Sequence, residues 1–159
     1  MRAEHHVHAT VRHPVDPEES IYLRAGRLLG LSAPIHSEID LMDRLEKGLS
    51  TSVVQSLRAR VGLTDEEVYD LIAPRRTLNR REAERQPLSR EEADRAVRVA
   101  RIASRTQQIF ARKPEYAQEW LRTPQPALGD RSPFQVLTSE SGARAVEEIL
   151  LGIEYGFLA

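Results

Sequence analysis

The sequence predicts an all-α protein built from two helical modules, and three observations carry that prediction. Leu, Ala, Arg and Glu, all good helix formers, are abundant, while β-branched residues are sparse and aromatics make up only 5% of 159 residues. Apolar residues recur at i, i+3 and i+4 in segments that open on Ser, Thr or Asp and close on Gly. No segment shows the strict apolar–polar alternation of a half-buried strand.

The elements follow in order. Residues 1–15 hold four of the five histidines, with His5, His6 and His8 in the spacing HHVH. That spacing could bind a metal ion, but no cysteine partner and no apolar period accompany it, so the segment reads as a disordered tail. The first helix is expected to start at Asp16 as N-cap, with Pro17 in its first turn and Glu19 completing the cap. Ile21, Ala25, Leu28 and Leu29 then share a face, and Gly30 ends the helix. A second helix over residues 38–47 is expected to turn Ile39, Met42 and Leu45 inward, with Gly48 as its stop. A third, over 52–60, buries Val53, Val54, Leu57 and Val61 and ends at Gly62. Thr64 and Glu67 form a capping box for a fourth, over 65–72, whose inner residues are Val68, Leu71 and Ile72. Pro74 forces a turn.

An arginine-rich helix follows over residues 75–86, then a boundary at "PLS". Ser89 and Glu92 form a second capping box. The helix they open runs some twenty residues, to about Ala111, with Ala93, Ala96, Val97, Ala100, Ala103 and Ser104 on an inner face small enough for close helix approach. Pro114 starts a short helix in which Trp120 and Leu121 are core residues. "RTPQPALGDRSP" is a stiff loop in which Gly129 supplies a positive φ. A helical turn begins at Ser132 and Pro133, and a last helix from Ser139 turns Ala143, Val146, Ile149, Leu150 and Ile153 inward and stops at Gly156. The modules are therefore expected at 16–87 and 88–159.

Composition excludes several functions. There is no cysteine, hence no disulfide, thiolate metal site or thiol nucleophile, which fits a cytoplasmic protein. No apolar run approaches the roughly 20 residues of a membrane span. No glycine-rich phosphate loop occurs, and the carboxylates sit at caps and on charged faces, so neither catalysis nor a cofactor is expected. Net charge is −1 and neither half is a polycation, so nucleic-acid binding would need a local patch.

Such a patch exists. A capped helix, a tight turn and an arginine-rich helix are the order of a helix-turn-helix. Residues 75–85 carry five arginines against Glu82 and Glu84. At 100° per residue, Leu78 faces the supporting helices while Arg76, Asn79 and Arg80 face outward, where arginine can bond guanine and asparagine adenine. Arg75 and Arg81 on the flanks would reach phosphates, Thr77 either; Arg81 with Glu84 is also a plausible surface pair. A single reader of this size binds loosely, so a homodimer is expected, with recognition helices about 34 Å apart on operator DNA.

The C-terminal half reads "LSREEADR", "WLRTP", "PALGDRSP", "GARAVEEIL" and "IEYG". These pieces resemble the C-terminal toxin-binding domain of the Xre–MbcA–ParS antitoxin family, and the segment from "DLMDRLEKGL" to "TLNRR" resembles that family's helix-turn-helix. Asp130 stands where a second glycine is common after Gly129. The resemblance implies an antitoxin that neutralises a RES-domain toxin, an enzyme that destroys NAD, by covering its active site, and that represses their shared operon. It also implies a role for Ile153, Glu154, Tyr155, Gly156, Phe157, Leu158 and Ala159 in toxin binding, since an apolar tail just past a helix stop suits a concave site. Three alternatives stay open: that the tail packs on its own core, that the chain is a stand-alone regulator whose second module only dimerises or senses a ligand, and that it is an interaction module whose Xre-like part no longer binds DNA. Arg101 and Arg105, with no acid at matching spacing on their own helix, are expected to be solvated.

Overall fold

The computed structural model describes residues 18–157. The histidine-rich segment, Asp16, Pro17, Leu158 and Ala159 lie outside the described residues. These form nine α-helices and one 3-10 turn, with no strand among them: α1 (Ile21–Leu28), α2 (Glu38–Glu46), α3 (Ser52–Val61), α4 (Asp65–Leu71), α5 (Arg75–Ala83), α6 (Arg90–Ile109), α7 (Pro114–Arg122), the 3-10 turn Pro126–Leu128, α8 (Pro133–Val136) and α9 (Glu140–Glu154).

The axis of the molecule is α6. It buries Ala93, Ala96, Val97, Val99, Ala100, Ile102 and Ala103, more of its circumference than one apolar stripe would cover. A helix apolar on most sides belongs in the centre, and α1, α2, α3, α4, α7 and α9 all pack against it. Its alanines permit that crowding. Buried side chains from α1 to α9 join in one hydrophobic core. Leu88, just before α6, is buried, and its N–H donates to the Leu49 carbonyl at 2.9 Å.

The caps at Thr64/Glu67 and Ser89/Glu92 form reciprocally as the spacing predicts, and Ser132 with Gln135 makes a third. The first helix departs from expectation. It begins at Ile21 with Ser20 as N-cap, and Glu19 pairs with Arg24 and Arg27 instead of completing a box. In α2 the buried residue is Leu41; Ile39 and Met42, expected inside, are 63% and 51% exposed. Trp120 is half-buried, with its ring 6.2 Å from Phe110, while Leu121 is fully buried.

The proline-rich loop closes on itself. Gln125 and Arg131 make an isolated antiparallel bridge around the 3-10 turn. Gly129 and Asp130 inside it both adopt left-handed backbone, with φ of 65° and 57°. Aspartate tolerates that region better than most residues, which explains how Asp130 serves where glycine is common.

Candidate DNA-binding and toxin-binding surfaces

The helix-turn-helix is α4 and α5. Ile72 ends α4, Ala73 is buried, and Pro74 stands at the N-cap of α5, so the turn is only as long as its two caps require. Arg95 of α6 donates to the Ile72 carbonyl at 3.3 Å and supports the turn from below. Leu78 is the one buried side chain of α5. Arg75, Arg76, Asn79 and Arg80 are exposed and Thr77 half-buried. No ion pair among the described residues engages Arg75, Arg76 or Arg80, so three guanidinium groups stand free on one surface. Such an array can meet phosphates and base edges.

Arg81 behaves differently. Its Nε lies 2.6 Å from Glu92 Oε2, and its Nη1 donates to the Pro87 carbonyl at 3.2 Å. The partner is thus the capping carboxylate of α6 and not Glu84. Spacing along one helix cannot reveal a partner on the next.

The second surface lies at the far end of α9. The helix closes with the Phe157 N–H donating to the Gly152 carbonyl at 2.8 Å and the Gly156 N–H to the Ile153 carbonyl at 3.3 Å. Gly156 takes a φ of 72°, the left-handed residue that such a closure uses. Ile153 is half-buried against the core. Tyr155 is 67% and Phe157 82% exposed, their rings 6.3 Å apart. With Leu151 one turn earlier, they make an apolar knob that its own core does not cover.

The flank of α9 is charged and ordered. Arg98, Arg101 and Arg105 of α6 pair with Glu140, Glu147 and Glu154 at 3.2, 2.6 and 3.6 Å. Arg101 and Arg105, expected to be solvated, are instead rungs of a ladder between the two helices. Burial alone would lower the Arg101 pKa; the hydrogen bond and charge of Glu147 outweigh it and hold the guanidinium above its ordinary value. Glu154, expected at the partner surface, is thereby tied to Arg105.

One further contact ties α7 to α4. Arg122, at the end of α7, binds both oxygens of Glu67 at 2.7 and 2.8 Å and the Gly62 carbonyl at 2.9 Å. Its guanidinium also lies 5.2 Å over the Phe134 ring. Glu67 at the same time caps α4 through the Thr64 N–H at 2.9 Å. The arginine of "WLRTP" thus holds the first turn of the helix-turn-helix, a role its sequence context does not disclose. Among the described residues no group of three or more His, Asp or Glu is placed to hold a metal, and no helix is long and apolar enough to cross a membrane.

Known families match both parts of the chain. Residues 40–101 match the antitoxin Xre-like helix-turn-helix domain, and residues 105–156 the antitoxin Xre/MbcA/ParS C-terminal toxin-binding domain. An Antitoxin Xre from Pseudomonas putida is 34% identical over 121 residues, covering 76% of this chain and 75% of its own. An Antitoxin Xre from Yersinia enterocolitica is 29% identical, covering 73% and 79%. A Sphingobium protein named Prs ADP-ribosylating antitoxin is 26% identical, covering 77% and 83%. The chain belongs to the Xre antitoxin family: it is the antitoxin of a toxin–antitoxin system, with a helix-turn-helix DNA-binding domain followed by a toxin-binding domain.

Proposed function

We propose that this antitoxin neutralises an NAD-degrading RES-domain toxin by seating the end of α9 and the residues after it over the toxin's active site, and that it represses the operon they share. The observation that carries the reading is the knob of Tyr155 and Phe157, held past the α9 stop and away from the protein's own core. An exposed aromatic pair with a hydroxyl at its rim is the composition of an interface anchor. Ile153, Glu154 and Gly156 set the knob's direction, and Leu158 and Ala159 take part in toxin binding. Arg75, Arg76, Thr77, Asn79 and Arg80 read operator DNA from α5, in a homodimer that presents two such helices one duplex turn apart. The protein acts by binding alone, in the cytoplasm, with no chemistry or cofactor of its own.

The test uses a cognate RES-domain protein, sought as the product of the neighbouring gene. Its NAD consumption should fall to background at stoichiometric antitoxin, and Phe157→Asp should weaken that inhibition about tenfold or more while leaving DNA binding intact. Full inhibition by Phe157→Asp together with Tyr155→Ala would overturn the plug. The name of the Sphingobium relative favours a second partner chemistry, ADP-ribosylation, which also consumes NAD. In that case the toxin would leave labelled ADP-ribose on a protein acceptor, whereas NAD hydrolysis leaves none.

A further inference from the structure

The DNA-reading helix is attached to the rest of the protein at few points. Of its nine residues only Leu78 is buried, and Pro74 at its N-cap has no side-chain oxygen to bind the first turn. A helix held by one leucine can roll about its own axis. A roll of about 20° would sweep the side-chain tips by roughly 2 Å, well beyond the ~0.5 Å that a preorganised site tolerates. A second anchor is therefore required, and it must sit one turn from the first.

Arg81 meets both conditions. It follows Leu78 by three residues, on the neighbouring turn of the same side. Its guanidinium spans two groups of the α6 entry: the Glu92 carboxylate at 2.6 Å and the Pro87 carbonyl at 3.2 Å. The contact with Glu92 is an ion pair in which the Nε–H is not aligned on the oxygen. Both side chains are largely withdrawn from water, at 17% and 10% exposure. Glu92 is itself fixed, because the same Oε2 accepts the Ser89 N–H at 2.8 Å and the Ser89 hydroxyl accepts the Glu92 N–H at 3.2 Å. It also lies in the first turn of α6, where the helix dipole favours a negative charge. Since α6 is the centre of the core, the clamp refers the angle of α5 to the helix on which most of the others pack.

We infer that Arg81 and Glu92 form a clamp that sets the angle of α5 on DNA, which makes Arg81 a positioning residue and not a phosphate contact. The inference rests on the reading of α5 as the DNA-contacting helix. It has a consequence that runs against simple electrostatics. Glu92→Gln keeps a capping side chain and makes the protein more basic, so non-specific attraction to DNA rises. The clamp nevertheless loses its charge pair, and site-directed affinity falls.

The experiment measures binding to a labelled duplex from immediately upstream of the antitoxin's coding sequence, over a range of KCl concentrations. For Glu92→Gln the expected result is about tenfold weaker binding despite the added positive charge. For Arg81→Gln it is a similar loss with the salt slope unchanged. A phosphate contact would instead lower the slope by about 0.9 for Arg81→Gln, and Glu92→Gln would bind as well or better; either result overturns the clamp. Amide hydrogen exchange of the free protein supplies a readout that needs no DNA. Protection in residues 75–83 should fall in both variants while that of α6 and α9 is kept, and unchanged protection in α5 would also overturn the clamp. Lowered protection with no salt-dependent DNA binding by the unaltered protein would uphold the clamp as a mechanical device and overturn the assignment of α5 to DNA.

Discussion

Gly142 shows how much a single missing methyl group can decide. It sits in the first turn of α9, where helix propensity alone favours alanine by about 1 kcal/mol. A Cβ placed there would lie 1.9 Å from the Val136 carbonyl oxygen and 2.7 Å from its carbon. Both atoms are backbone, so α8 and α9 would have to part. Gly142→Ala is therefore expected to destabilise by about 2–3 kcal/mol, read as a lower urea midpoint; a neutral or stabilising result would show that propensity governs the site. The motif "GARAVEEIL" contains this glycine, but nothing in the sequence says that a carbonyl from the preceding turn lies against it. Tyr22 illustrates the same limit for charge. Burial first, and then the Glu38 carboxylate, raise its pKa above 10.0. A raised folded-state value means that stability is fully present below the ordinary tyrosine pKa and is lost as pH rises through the higher one. The urea midpoint should accordingly drop above pH 10, and Tyr22→Phe should flatten that drop.

Helices were legible where one apolar stripe had a single way to face, and less so where it had two. In α3, Val53, Val54, Leu57 and Val61 leave one choice, and all four are buried. In α2, Ile39, Met42 and Leu45 make one stripe and Leu41 with Leu45 another. Packing against α1 and α6 selects the second. Periodicity fixes the angle between residues on a helix, not the direction in which the helix is turned. Cross-helix ion pairs are hidden for the same reason, as the α6–α9 ladder shows. Its rungs are partly exposed, so each contributes modestly. Arg101→Met is expected to cost about 0.5–1 kcal/mol, and Glu147→Met about the same. The two together should cost less than their sum, because the second change removes no further pair. Strict additivity in urea melts would mean that the pair is not coupled. Arg81 belongs with these: the sequence places it on a flank reaching phosphates and offers Glu84 as its partner, whereas its ion pair is with Glu92 on the next helix.

Two family domains meet along this chain, at residues 101 to 105, and the junction falls in the middle of α6. A helix that runs unbroken across such a junction cannot act as a hinge. Within α6, Arg95 bonds the turn after α4 while Arg98, Arg101 and Arg105 pair with α9, and the helices on both sides share one core. Arg122 adds a polar tie from α7 to the cap of α4. The sequence points to a boundary because "PLS" carries a proline and a helix cap, which mark an element start as readily as a domain start. The buried Leu88 and its bond to Leu49 come from long-range packing that local punctuation does not encode. A shared core has a thermodynamic signature. Unfolding should be one cooperative transition, with elements at both ends lost together. Trp120, the sole tryptophan, reports on α7 and its packing against Phe110, whereas far-UV circular dichroism reports on every helix. The two urea curves should superimpose. Leu57→Ala, in α3 and remote in sequence from Trp120, should shift both midpoints equally, at a cost of about 2–5 kcal/mol. Separate midpoints, or a Leu57→Ala shift seen by dichroism and not by tryptophan fluorescence, would mean that the DNA-binding and toxin-binding parts fold independently and that α6 joins them without coupling them.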